Sequence, residues 1–241
     1  MPDARENPNQ PTDAPLGDPL PGWMPPPAPP RSAMAGRLCR VEPLSPETHA
    51  ADLFAAYGAD RENRIWTYLP YGPFDDPAAF RKWMEATCLS DDPLFHAIVD
   101  QAAGKALGVA SYLRIAPAAG SIEVGHINYS PALQGTAIAT EAMYLMMARV
   151  FDELGYRRYE WKCNALNAGS CRAAERLGFT FEGVFRQAAV IKGRNRDTAW
   201  YSLLDREWPQ AKAAFEAWLA PANFDGDGRQ KRGLKEIRDN L

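Results

Sequence analysis

The run Gln134-Gly135-Thr136-Ala137-Ile138-Ala139-Thr140 closes an alternating, β-rich stretch, Ser121 to Tyr129, and opens directly into a helical pattern. The first N–H groups of a helix have no intrahelical partner and the helix dipole is positive there, so backbone alone can hold an anion such as a pyrophosphate. Small side chains let the anion approach, and most of this run is small. The same pattern also suits an ordinary connection between a strand and a helix. Gln134 either adds a side-chain hydrogen bond to the anion or is a solvated loop residue. Two titratable groups, Glu123 and His126, lie on the preceding stretch. Three positions apart on a strand they should face opposite sides, so one of them lines a cleft and the other does not. His126 titrates where proton transfer is useful, or it is a satisfied structural histidine. Further on, Asn167 and Ser170 stand three residues apart at the start of another helix. Asn167 suits an N-cap, and the Ser170 hydroxyl either relays a proton or bonds the nearby backbone.

The elements that carry these groups can be read from periodicity. Gly36 to Leu44 alternates as a first strand, and Ser45-Pro46-Glu47-Thr48 caps a helix that reaches about Gly58. A second helix fits Asp76 to Thr87. Strands follow near Leu94–Asp100, Ala106–Ile115 and Ile122–Tyr129. After the helix that begins near Thr136 and stops at Leu154-Gly155 come a strand at Arg158–Cys163 and a helix at Asn167–Leu177 stopped by Gly178. Strands near Phe179–Phe185 and Thr198–Leu204 and a helix at Trp208–Leu219 complete an α+β domain.

Two segments together resemble a known family. The turn QGTAIATEA looks like the Q/R-x-x-G-x-G/A pyrophosphate loop of the GNAT superfamily of N-acetyltransferases. The stretch from Asn167 to Gly183, NAGSCRAAERLGFTFEG, resembles that family's N-x-x-S…A-x-x-x-x-G-F-x-x-E-G segment. With Phe185-Arg186-Gln187 and Lys192 to Asp197, the longer match is similar to the subgroup typified by the ribosomal-protein N-terminal acetyltransferases RimJ and RimL. The resemblance implies a mixed, mostly antiparallel central sheet flanked by helices. It also implies an acyl-CoA donor, acetyl-CoA or another such as succinyl-CoA, and a primary-amine acceptor, either a protein N-terminus or a small amine. A homodimer is expected from the resemblance alone.

Residue by residue, the resemblance puts CoA on the backbone of Gln134 to Thr140 and Asn167 against the pantetheine arm. Ser170 then protonates the departing thiolate. Glu123, directly or through a water, is the first candidate base, with His126 the second. A backbone N–H near Ile127 or Asn128 faces the thioester oxygen if the strand splays there. Trp66, Tyr68, Tyr71 and Phe74 fall where the family builds its acceptor wall, and their faces would favour an ammonium group. Alternatively they pack the loop down. Arg172 and Arg176 approach the CoA 3′-phosphate or form a solvated helix face. The chain departs from the pattern twice. Ala137 replaces the central glycine of the loop, and Ala188-Ala189 stand where the ribosomal-protein enzymes have a carboxylate.

Composition bounds what else the chain does. Of 241 residues, 46% are hydrophobic, enough for one catalytic domain with tails. The net charge of −3 gives no dense positive surface for nucleic acid and mildly suits a cationic acceptor. Four cysteines without C-x-x-C spacing and three histidines argue against a metal centre. Neither Cys163 nor Cys171 has the adjacent base of an acyl-cysteine nucleophile. No apolar run spans a bilayer and no signal peptide is evident, so a cytoplasmic protein without membrane attachment is expected. Residues 1–35 hold about half of the 21 prolines and read as an arm, disordered or docked through Leu20-Pro21-Gly22-Trp23-Met24. The acyltransferase domain spans 36–220, and 221–241 reads as a charged tail. Two other functions fit the same residues: an acyl-CoA-binding regulatory module without turnover, and a scaffold using the arm and the basic run Arg229-Gln230-Lys231-Arg232.

Overall fold

The computed structural model describes residues 15–241; the first part of the expected arm, residues 1–14, lies outside the described residues. Eight strands form one sheet: β1 (Met34–Ala35), β2 (Cys39–Pro43), β3 (Leu94–Asp100), β4 (Ala106–Ala116), β5 (Ser121–Tyr129), β6 (Arg158–Asn164), β7 (Thr180–Ile191) and β8 (Arg194–Leu204). Their order is β1-β2-β3-β4-β5-β6-β8-β7. Every pair is antiparallel except β5 with β6. The fold is the expected mixed, mostly antiparallel sheet flanked by helices.

The helices are α1 (Pro46–Tyr57), α2 (Pro77–Thr87), α3 (Ala137–Ala148), α4 (Ala168–Leu177), α5 (Trp208–Leu219) and α6 (Leu234–Arg238). Their starts follow the capping residues. Ser45 accepts from Thr48 N–H, Asp76 from Ala79 N–H, Thr136 from Ala139 N–H and Asn167 from Ser170 N–H. Gly178 ends α4 at a φ of 105°, a backbone state that a side chain would strain. Beyond α3, Arg149–Glu153 continues as a wider π-type turn.

The sheet separates two cores. On one side Met143, Met146 and Met147 of α3 pack with Trp208, Phe215 and Trp218 of α5. On the other, Leu53 and Tyr57 of α1 and Phe80 and Met84 of α2 meet Trp66 and Phe95. Each fully buried side chain of this size contributes about 1.5–3 kcal/mol, so the face carrying α1 and α2 anchors the loop between them.

The described part of the arm takes the docked alternative from Trp23 onward: Trp23 lies against Arg157, and the buried Arg149 donates to the carbonyls of Ser32 and Ala33. The tail, expected to lack a core pattern, places Leu234 and Ile237 in the main core. They are three apart on one helical turn, and two apolar residues among charges are too weak a periodic signal to read. Arg238 then donates to the carbonyls of Arg176 and Glu175, tying α6 to the end of α4.

Candidate functional site

Strands β5 and β6 pair from Ser121/Arg158 to Val124/Trp161 and no further. Beyond that point β5 stays on β4 through Tyr129, while β6 stays on β8 through Asn164, so the two diverge. A cavity of about 1450 Å³ occupies the opening. Ile127 and Asn128 lie on the diverging part of β5 and line the cavity, as the splay expectation requires. The Asn128 carbonyl is held by Tyr57 Oη at 3.1 Å.

At one end stands the turn before α3. Gly135 takes a φ of 73°, and open space surrounds the position its side chain would occupy. Thr136 is the N-cap in extended conformation, which makes Ala137 the first helical residue. The missing glycine is therefore no obstacle, because position 137 does not need a positive φ. Among the described residues the N–H groups of Gly135, Ala137 and Ile138 take no acceptor. The side chains of Gln134, Thr136, Ala137, Ala139 and Thr140 line the cavity, whereas Ile138 packs toward the core and contributes only its N–H. Gln134 turns back to donate to the Tyr129 carbonyl at 2.9 Å and closes the turn. Arg176 completes this end. It stacks on Trp218 at 5.0 Å and donates to Thr140 Oγ1 at 3.2 Å, so it is not the solvated face residue of the alternative. Arg172 is exposed at the rim. These unpaired donors and cations fit the phosphates of CoA.

In the middle, Asn167 and Ser170 line the cavity from the start of α4. Asn167 is occupied as the cap, accepting from Ser170 N–H at 3.1 Å. Ser170 Oγ accepts from Trp161 Nε1 at 2.9 Å, which leaves its own proton to donate. The Cys163 thiol lies beside this hydroxyl and 3.6 Å from the Cys171 sulfur, and burial pushes it up to about 12, so it is protonated at neutral pH.

Glu123 and His126 correct the alternation argument. Both line the cavity. Opposite Ala110, β5 carries His126 and Ile127, because the register runs Ser111↔Gly125 and then Val109↔Asn128. This is a bulge, with His126 at a φ of 49°, and one extra residue resets which side chains share a face. Glu123 Oε2 accepts from Arg114 Nη1 at 2.6 Å and from Lys162 Nζ at 2.8 Å. His126 Nδ1 lies 3.2 Å from Tyr71 Oη, and burial, with Arg114 and Arg196 nearby, lowers it to about 4.

The aromatic loop needs a second correction. Only Tyr68 of the four expected wall residues lines the cavity, and its hydroxyl donates to the Leu166 carbonyl. Trp66, Tyr71 and Phe74 turn into the second core, Trp66 against Phe74 at 5.5 Å and Tyr71 against Trp83 at 4.4 Å. Arg64, Ile65, Leu69 and Pro70 take their place on the wall. Opposite them stands the β7–β8 hairpin, longer than expected and closed by Lys192-Gly193 with both residues at positive φ. Lys192 Nζ reaches the Trp66 carbonyl at 2.9 Å. Ala188 and Ala189 line the wall as apolar residues, beside a bulge where Gln187 N–H donates to Asp197. Sequence reasoning missed Arg114, Lys162, Arg196 and Trp200 of this end; the one available signal was the alternation Arg196, Thr198, Trp200. Among the described residues no group of three or more His, Cys, Asp or Glu is placed to hold a metal ion, and no helix is long and apolar enough to cross a membrane.

Comparison with known proteins agrees with this geometry. A structure described as a GCN5-related N-acetyltransferase from Brucella melitensis superposes with a TM-score of 0.89 at 50% identity, over 91% of this chain and 100% of that one. A probable acetyltransferase of the GNAT family from Chromobacterium violaceum gives 0.75 at 43% identity, over 83% and 100%. The uncharacterized N-acetyltransferase p20 of Bacillus licheniformis is 26% identical over 165 residues, 67% of this chain and 91% of that protein. The sequence profile of the acetyltransferase (GNAT) domain matches residues 39–180. With the matching fold around a divergent strand pair and a helix start whose N–H groups are free, this chain belongs to the GNAT acetyltransferase family.

Proposed function

We propose that the protein transfers an acetyl or other short acyl group from acyl-CoA to a primary amine, by direct attack within a ternary complex. The observation that carries this is the sharing of one cavity by the unpaired N–H groups before α3 and the Ser170 hydroxyl, in the gap where β5 leaves β6. Bound acetyl-CoA supplies the thioester and the thiolate leaving group.

The protein's residues do the rest. Gly135, Ala137 and Ile138 donate their N–H groups to phosphate oxygens, with Arg176 alongside. The diverging backbone at Ile127 and Asn128 faces the thioester. A neutral amine is required, because its lone pair forms the new N–C bond as the C–S bond breaks. Ser170, its oxygen held by Trp161, gives a proton to the leaving sulfur. The amine gives one up, so transfer from a neutral amine releases no net proton. His126 is neutral at pH 7 and accepts that proton weakly. Glu123, bound by two cations, orders the acceptor end. The longer match, in which Phe185-Arg186-Gln187 and Lys192 to Asp197 join the segment from Asn167 to Gly183, supports an affinity with the ribosomal-protein enzymes, and with it a protein N-terminus as one form of the amine.

Calorimetry with acetyl-CoA and succinyl-CoA, alongside thiol release against peptide N-termini, polyamines and amino acids, tests the proposal. Saturable binding with amine-dependent release is expected. Binding without release on every amine would leave the regulatory module, whose motivation was Ala137 and the missing carboxylate. Absence of binding to both donors would overturn the CoA site.

A further inference from the structure

Arg196 stands at the acceptor end of the cavity with its charge unanswered. Strand alternation puts Arg196, Thr198 and Trp200 on the cavity wall, while Ala199, Tyr201 and Leu203 enter the core. Arg196 Nε is buried without an acceptor, and among the described residues its guanidinium makes neither a hydrogen bond nor an ion pair. The neighbouring carboxylates are committed elsewhere. Glu123 binds Arg114 and Lys162, and Glu160 binds Lys162 at 2.7 Å and Arg158 at 2.6 Å. Arg158 in turn holds Glu182. Burial works against the charged form of Arg196 and Arg114 adds to it more weakly, while Glu123 opposes them. A second unmet donor, Trp200 Nε1, lies on the same strip, its ring covered by Lys162 at 3.7 Å and by Phe185 at 4.4 Å.

Arg196 is half-buried, with its Nε–H shut off from water and its Nη groups open to the cavity; a shielded donor without an acceptor is costly, and the planar fork matches a carboxylate in shape and charge. A substrate anion would meet that need. A cationic group would instead meet Arg196 with no free carboxylate beside it, since Glu123 and Glu160 are held by Arg114 and Lys162, and like charges at close range exclude a partner as effectively as attraction selects one. Resting on the acyl-transfer function proposed above, we infer that the acceptor is an amine carrying a carboxylate that seats on Arg196. The carboxylate is either an amino acid's own α-carboxylate or the side chain of an acidic first residue of a peptide. The same positive field helps the chemistry, because nearby like charge disfavours the ammonium form and leaves more of the amine neutral. The expectation of a cationic acceptor, drawn from the net charge and the aromatic loop, is thereby reversed.

Matched pairs test the inference with acetyl-CoA saturating and thiol release as the readout. One arm compares free amino acids with their amides; the other compares peptides beginning with Asp or Glu with those beginning with Asn or Gln. The carboxylate member is expected to show a kcat/KM at least about tenfold higher in one arm, and that arm names the source of the carboxylate. In Arg196→Gln the ratio should collapse toward one, through KM, and Arg196→Lys should restore part of it. Acetyl-CoA calorimetry and thermal melting check that the variants are folded, and the wild-type ratio stands as a test by itself if they are not. Equal rates for both members of every pair, or a ratio that survives Arg196→Gln, would overturn the acceptor assignment and leave acyl transfer intact. No thiol release with any amine despite acetyl-CoA binding would instead overturn acyl transfer, and the acceptor assignment with it.

Discussion

Ser170 is the residue whose surroundings point most directly to a chemical step. Its oxygen is occupied by the Trp161 N–H, so the hydroxyl proton is what it can offer. Ser170→Ala should lower kcat by about a hundredfold, with KM for acetyl-CoA little changed, because proton transfer by a positioned side chain contributes on that scale. The α4 cap survives, since Asn167 accepts from the backbone of position 170 and not from its side chain. The histidines bear on pH. Burial lowers both His96 and His126 from 6.5 to about 4, so each is neutral in the folded protein where the unfolded chain would bind a proton. The stability that these two histidines contribute is therefore fully present above about pH 6.5 and is lost as pH falls toward 4. Melting curves across that interval should show a steady fall, and a flat profile would contradict the buried neutral state. For the same reason kcat/KM should show no ionisation near pH 6.5 from His126.

At the scale of elements, Ala137 decides how the anion turn is understood. Thr136 supplies the cap and Gly135 the positive φ, so restoring the family glycine at 137 has nothing to relieve. Ala137→Gly should leave KM for acetyl-CoA unchanged and cost up to about 1 kcal/mol of stability, as glycine does in a helix; a clear gain in affinity would refute this geometry. The turn before α3, the caps at Ser45 and Asn167 and the stop at Gly178 were legible in the sequence because each rests on local backbone chemistry. The shared face of Glu123 and His126 was not, since the bulge is defined by the neighbouring strand and leaves the alternation of SIEVGHINY undisturbed. The aromatic loop misled for a related reason. Trp66, Tyr71 and Phe74 are attractive to ammonium groups and equally attractive to Phe80 and Trp83, and only packing between α1 and α2 decides which they meet.

Across the described residues, the sheet and its helices are braced by the segment around Ser32 and Ala33 and by the C-terminal segment. Arg149, whose side chain is 6% exposed, gives two hydrogen bonds to the arm at Ser32 and Ala33. Deleting residues 1–33 should cost roughly 1–3 kcal/mol, because the buried Arg149 then loses two acceptors and keeps Glu153 alone; a melting temperature equal to that of the full chain would show the arm to be dispensable. The C-terminal segment contributes at the nucleotide end. Gln230 accepts from Trp218 Nε1 at 2.7 Å, and Trp218 carries Arg176, so the docked tail helps hold a cation beside the anion turn. The proposed direct route of transfer would tie these parts together, requiring donor and acceptor at once in one cavity, with Cys163 protonated beside Ser170. Initial rates measured over a grid of acetyl-CoA and amine concentrations, with intact mass of the enzyme recorded during turnover, test it most directly. The account predicts intersecting reciprocal plots, N-acetylated amine formed in equal amount to free thiol, and no acetylated enzyme. Parallel plots with an acetyl group trapped on Cys163 would contradict it.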